Sequence, residues 1–396
     1  MSVQSGAAQR APETSLINDP RFRAALYQVL VLAAIVAFVI FIGVNTAANL
    51  VRQSKTTGFD FFWRTSGFDI SFSLISYSRA SSYAEAFLVG VLNTVLVSAL
   101  GILFATILGF LVGIARLSQN WLISRIATVY VETLRNIPLL LQLFFWYFAV
   151  LKAMPAVRDS IYLGFDTYIN QRGLFVPRPI FDDQFVWVPV AIVAGLIASW
   201  FIARWAKLRL ERTGQRFPTF LASIGTILAL VVLVWTVSGA SVVFEIPVLN
   251  RFNFAGGLAV PPELVALWLG LTLYTATYIA ETVRGGILAV NRGQTEAAYS
   301  LGLRDGDRLR LVIIPQAMRV IIPPLTSQYL NLTKNSSLAA AIGYPDFVSV
   351  FMGTTLNQTG RALEVVSITM LVYLTLSLST SALMNWYNSR AALVER

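Results

Sequence analysis

The 396-residue chain has no cysteine and no histidine. Disulfides, thiol nucleophiles, imidazole bases and the usual zinc ligand sets are therefore excluded. Charge is scarce at 13% of residues, where a soluble chain carries about 25%. No Gly-x-x-x-x-Gly-Lys-Ser/Thr run occurs, so this chain has no loop of the kind that cradles nucleotide phosphates. The first 20 residues lack the basic, apolar and small-residue succession of a signal peptide.

What is abundant is apolar. Hydrophobic residues make up 56% and mean hydropathy is +0.67, which marks an integral membrane protein. A span needs about 20 mainly apolar residues. Eight segments qualify, at about 24–45, 86–115, 126–151, 184–203, 217–244, 264–283, 321–343 and 365–389. The expected fold is an all-α polytopic membrane protein of about eight transmembrane helices. The net charge of +10 fits basic loops facing anionic lipid and does not point to nucleic acid. Of the Lys and Arg residues outside the spans, eighteen fall on the side of Arg116, Arg204 and Arg292 and ten on the other. That bias places both termini in the cytoplasm. The basic stretch RWAKLRLERTGQR (204–216) is then a cytoplasmic loop. Two long loops, 45–85 with FDFFWR (59–64) and 153–183, face outward. The first suits the membrane interface, and either offers a surface to an extracytoplasmic partner.

The segment EAAYSLGLRDGDRLRLVIIP (296–315) is polar and basic between apolar spans. Thr295 is the expected cap of a short helix with Glu296 in its first turn. Ala297 and Ala298 permit close approach, and Gly302 suits a turn with positive φ. A second helix is expected from about Asp305 to Ile314, ending at Pro315. Charges inside spans are costly, at about 2.5–3.5 kcal/mol each. Lys334 stands in such a position beside Asn331, Thr333, Asn335, Ser336 and Ser337. Glu132 and Arg135, three apart on one helix face, are placed to pair. Glu281 is expected to be structural. Gly109 and Gly113 form a small-xxx-small pair for packing within the subunit.

The order Glu296, Ala297, Ala298, Gly302, Val312, Ile314, Pro315 resembles the coupling (EAA) loop of ABC importer permeases. GVLNTVLVSALGILFATILGFLVGIARLS (90–118), ETLRNIPLLLQLFFWYF (132–148) and NLTKNSSLAAAIGYPDF (331–347) resemble, in order, segments of the histidine/glutamine permease family. The chain is identified as similar to permease subunits of polar or general L-amino-acid importers. That resemblance implies the type I ABC importer permease fold in the bacterial inner membrane, acting in amino-acid import and not as an enzyme. It implies a separate ATPase subunit holding ATP and Mg, a second permease subunit (a paralogue, giving a heterodimer) and a periplasmic amino-acid-binding protein. No cofactor or metal is expected on this chain.

The implied layout is a cytoplasmic tail (1–23), an extra helix with outer loop (24–84) and a first core part (85–152). An insertion with two extra helices follows (153–261), then a second core part (262–390) with its coupling loop (285–320), and a short cytoplasmic tail (391–396). The expected path lining is Lys334, Asn331, Asn335, Ser336, Ser337, Arg135 and Gln142. The rival reading is an ion- or proton-coupled secondary transporter. Such a chain usually shows paired broken repeats, and no second copy of the Glu296 or Lys334 segments occurs.

Overall fold

The computed structural model describes residues 20–52, 58–215 and 217–391. The N-terminal tail to residue 19, Lys55, Arg216 and residues 392–396 lie outside the described part. The helices are α1 (Pro20–Arg52), α2 (Tyr83–Ala115), α3 (Trp121–Asn136), α4 (Leu139–Phe144), α5 (Trp187–Thr213), α6 (Thr219–Ser238) and α7 (Pro262–Leu288). They continue with α8 (Arg292–Ser300), α9 (Asp305–Arg308), α10 (Ile314–Asn335), α11 (Leu356–Thr359) and α12 (Ala362–Ala391). Among the described residues seven helical segments are long and apolar enough to cross a membrane, and eight when the bent pair 121–151 counts as one.

Helix starts follow local chemistry. Ser82 and Glu85 form a reciprocal capping box at α2, and the Asn120 carboxamide accepts from the Leu122 and Ile123 amides at α3. The expected third span is not one rod. α3 and the segment Leu139–Leu151 meet at 105°. Pro138 has no amide to continue the ladder, and Ile137 before it is extended, as a pre-proline residue prefers. The stretch 204–213 is not a loop either: α5 continues through it to a left-handed Gly214.

α2, α7 and α10 form the core, with α3 and α4 against α7. The α2–α7 seam depends on Gly109 and Gly113. A β-carbon on Gly109 would sit 2.5 Å from Ile279, and one on Gly113 would sit 2.7 Å from the Ala280 carbonyl. The small-xxx-small pair thus packs within the subunit. A second cluster gathers Phe61, Tyr83, Phe347 and Phe351. The FDFFWR segment is therefore split. Phe61 is buried, Asp60 pairs with Arg361 at 2.8 Å, and Trp63 remains exposed. α5 and α6 pack mainly on each other, and no residue in the Phe22–Thr46 stretch of α1 is buried.

Between α10 and α11 the span breaks. A 3₁₀ turn (Ser336–Ile342) leads to Gly343, and a π-helical stretch (Val348–Thr355) follows. The long loops before α5 and after α6 add short strands that the apolar pattern did not reveal. β1 (Ile161–Gly164), β2 (Thr167–Asn170), β3 (Gly173–Val176) and β8 (Leu258–Val260) form one antiparallel sheet. β4 (Arg178–Phe181) pairs with β5 (Val242–Glu245), and β6 (Val248–Leu249) with β7 (Phe254–Ala255). The two loops flanking α5–α6 are thus sewn together. Asp182 accepts from the Ser241 amide (2.8 Å) and hydroxyl (2.9 Å), and these bonds hold its carboxyl below the usual range.

Filling the α2–α7 seam should be costly. Gly109→Ala is expected to lower stability by about 1–3 kcal/mol, the usual cost of overpacking. Gly225→Ala, where a β-carbon meets nothing within 4 Å, should be neutral. Thermal unfolding of the detergent-solubilised chain checks both.

Candidate functional site

The Glu296 loop is a compact helical element. α8 begins earlier than expected. Asn291, not Thr295, is the cap, accepting from the Gly293 amide at 2.8 Å. Glu296 therefore falls in the second turn. α8 ends at Gly302, whose φ is 71°. The Leu303 amide bonds Ala298 O (3.1 Å) and the Gly302 amide bonds Tyr299 O (2.8 Å), the paired closure that a left-handed glycine allows. Tyr299 donates to Asp305 at 2.6 Å, and the Arg308 guanidinium lies 4.7 Å from the Tyr299 ring centre. These contacts fold α9 back on α8. Gln316 donates to Gln294 at 3.0 Å, fastening α8 to the base of α10.

The expected second helix does not end at Pro315. α9 passes through a π-helical turn (Leu309–Ile313) straight into α10, with Pro315 in its first turn. The widened turn spares the helix the bond and the clash that proline would otherwise impose. Glu296, Ala297, Gly302, Ile314 and Pro315 are exposed, Val312 is half-buried and Ala298 is buried. Sequence reasoning missed Leu301, which is 80% exposed at the loop tip. Its signal was a lone apolar residue before the turn glycine.

Beside the loop an ionic cluster ties three helices. Arg116, at the end of α2, pairs with Glu281 of α7 and lies 3.6 Å from Glu132 of α3. Glu281 also pairs with Arg284 at 2.6 Å. Glu132 therefore does not pair with Arg135. The helical spacing is right, but Glu132 turns to Arg116, and the Arg135 guanidinium stacks 5.1 Å from the Tyr278 ring centre.

The residues expected along a path do not gather in one place. Asn331 and Asn335 line a cavity of about 310 Å³ with Tyr274, Thr275, Tyr278 and Gln328. Tyr274 and Tyr278 share a hydroxyl–hydroxyl bond of 2.9 Å, and Arg135 reaches this group through Tyr278. Lys334 and Ser337 line a different groove, with Val348, Tyr373, Leu374 and Ser377. No described acid lies within ion-pair distance of Lys334. Ser336 is buried and bonds back to Thr333 O at 2.7 Å. Gln142 serves the bend, donating to Leu134 O (2.8 Å) and Ile137 O (2.9 Å). Tyr274, Thr275 and Tyr278 were not singled out from the sequence. Their signal was polar residues at helical spacing inside an apolar span.

The Arg116 side chain is only 11% exposed. Removing its carboxylate strands a mostly buried cation. Glu281→Gln should therefore destabilise by about 2 kcal/mol, in the range for bonds to charged groups. Glu132→Gln, whose partner is farther and whose side chain is mostly exposed, should cost under about 1 kcal/mol. The fraction folded after graded heating checks the ranking.

Comparison with known proteins agrees with this architecture. Residues 191–393 match the family model described as binding-protein-dependent transport system inner membrane component. The chain is 53% identical to the general L-amino acid transport system permease protein AapQ of Rhizobium johnstonii, covering 96% of this chain and 95% of that protein. It is 50% identical to the putative amino-acid ABC transporter permease protein YhdX of Escherichia coli, covering 96% of each. It is 43% identical to the glutamate/glutamine/aspartate/asparagine transport system permease protein BztB of Rhodobacter capsulatus, again covering 96% of each. With a family match over half its length and near-full-length relatives at this identity, the chain belongs to the binding-protein-dependent transport system inner membrane components.

Proposed function

We propose that this chain is the transmembrane permease subunit of an ATP-driven amino-acid importer, with a broad L-amino-acid range. One observation carries the mechanism: the exposed α8–α9 element runs without interruption into α10, the helix that bears Asn331, Lys334 and Asn335. A push on Glu296, Ala297, Leu301 or Gly302 is thereby delivered to the polar segment of the span. The partner ATPase holds ATP and Mg and supplies the push. The amino-acid class comes from the names of the near-full-length relatives.

The chain sits in the bacterial inner membrane, and the Lys/Arg bias puts both termini and the Glu296 loop in the cytoplasm. A periplasmic binding protein delivers the solute. A second permease subunit, a paralogue, completes the pathway. α1 and the α5–α6 hairpin, which hardly pack on the core, make this the specialised half. Among the described residues Lys334 has no acid within ion-pair distance, so a solute carboxylate is its natural counter-ion. Arg135, Tyr278, Asn331 and Asn335 supply a second polar surface along the path.

The direct test is purification from native membranes, with ATPase activity measured with and without loaded binding protein. Co-purification of an ATPase and a second permease, with activity stimulated by the loaded binding protein, is expected. A lone chain would sink the proposal. Lys334→Ala should abolish uptake while leaving the ATPase bound, and normal uptake would remove Lys334 from the path. Gly302→Val places a branched residue at positive φ, a cost of about 1–2 kcal/mol. It should reduce solute-stimulated ATPase activity without loss of membrane assembly, whereas Gly302→Asn should be tolerated.

A further inference from the structure

The outer sheet holds one residue that its own fold does not reward. β1 and β2 are joined through Gly164, Phe165, Asp166 and Thr167. Phe165 and Asp166 are both left-handed, at φ 48° and 51°. Two successive left-handed residues make the tight turn whose twist suits a hairpin. Asn, Asp and Gly normally fill it, because a bulky side chain crowds the backbone in that region. Asp166 obeys the rule and Phe165 breaks it. The Phe165 ring is 95% exposed, so the chain gains almost no burial from it. Strain that local packing does not repay is a pointer to function.

The turn is presented stiffly and in a defined direction. The Tyr162 and Tyr168 rings lie 5.3 Å apart, Tyr168 meets Phe254 at 4.9 Å, and Phe254 meets Phe175 at 4.8 Å. β3 pairs with β8, which leads into α7, and Gly173 at the start of β3 lies against Val260 and Pro262. The Asn170–Gly173 end of the sheet is therefore the membrane end. Gly164 and Thr167 pair at the opposite end of β2, about 10 Å farther out at the usual rise per residue. The tip points away from the bilayer and carries a charged Asp166 beside the ring. β1 is also an edge strand, with free backbone groups facing outward.

We infer that the Phe165 turn is a docking finger for the soluble solute-binding subunit, the ring entering an apolar hollow on that protein. The inference rests on the importer function proposed above. Its test uses the assembled transporter in nanodiscs and its binding subunit loaded with L-glutamate. Phe165→Gly removes both the ring and the strain. Docking should weaken at least tenfold, with basal ATPase activity unchanged and a melting temperature equal or higher. Phe165→Trp should keep docking within threefold. Unchanged docking by Phe165→Gly overturns the inference and leaves the importer standing. A parent transporter that never responds to its binding subunit overturns the importer reading, and the finger with it. Extra quenching of Phe165→Trp fluorescence by brominated lipid, relative to the parent, puts the tip in the bilayer and also overturns it.

Discussion

A helix that breaks inside a bilayer must have its freed backbone groups bonded by protein, because lipid offers none. This chain breaks two helices and meets that demand with named side chains. At Pro138 the Gln142 carboxamide takes up the Leu134 and Ile137 carbonyls. Beyond Gly343, Asn93 of α2 donates to Pro345 O at 2.9 Å, and Thr94 accepts from the Phe347 amide at 3.0 Å. Asp346 accepts from the Ser349 amide at 2.8 Å and so starts the π-helical segment that follows. α2 is therefore more than an apolar rod. Its buried Asn93 and Thr94 let the neighbouring span change course.

The polar residues at the end of α10 face two ways. Asn331 and Asn335, four apart on one helix face, meet the tyrosines of α7, and Lys334 and Ser337 turn toward α12. The other end of α10 is not broken. The passage from α9 to α10 is continuous, and Gln294–Gln316 braces the loop against it. Arg116 and Glu281 tie the C-terminal ends of α2 and α7. In the proposed importer, this handle and the ionic tie beside it would pass movement from the ATPase to the path.

Much of this was legible in the residues. Long apolar runs reveal spans because a bilayer demands length and hydropathy, and the turn at Gly302 followed from its place after a short polar helix. Local rules misplaced what long-range contacts decide. Thr295 had the right chemistry for a cap, but Asn291 lies one turn earlier and starts the helix. Glu132 and Arg135 had the right spacing, yet each meets a partner on another helix. Gln142 looked like path lining because a polar residue in a span has few other uses, and only the bend reveals its role. The short strands escaped notice because they are two to four residues long and pair across an inserted helical hairpin.

In the proposed importer the α8–α9 element meets an ATPase. Leu301 stands exposed at its tip, and the chain has no cysteine of its own. Leu301→Cys therefore carries a unique thiol, and a short bifunctional cross-linker applied in membrane vesicles reports what lies beside it. The account predicts a single linked product containing the ATPase subunit, its yield changing when ATP is added. A thiol that links to no ATPase, or that is reached only from the periplasmic side, would contradict it.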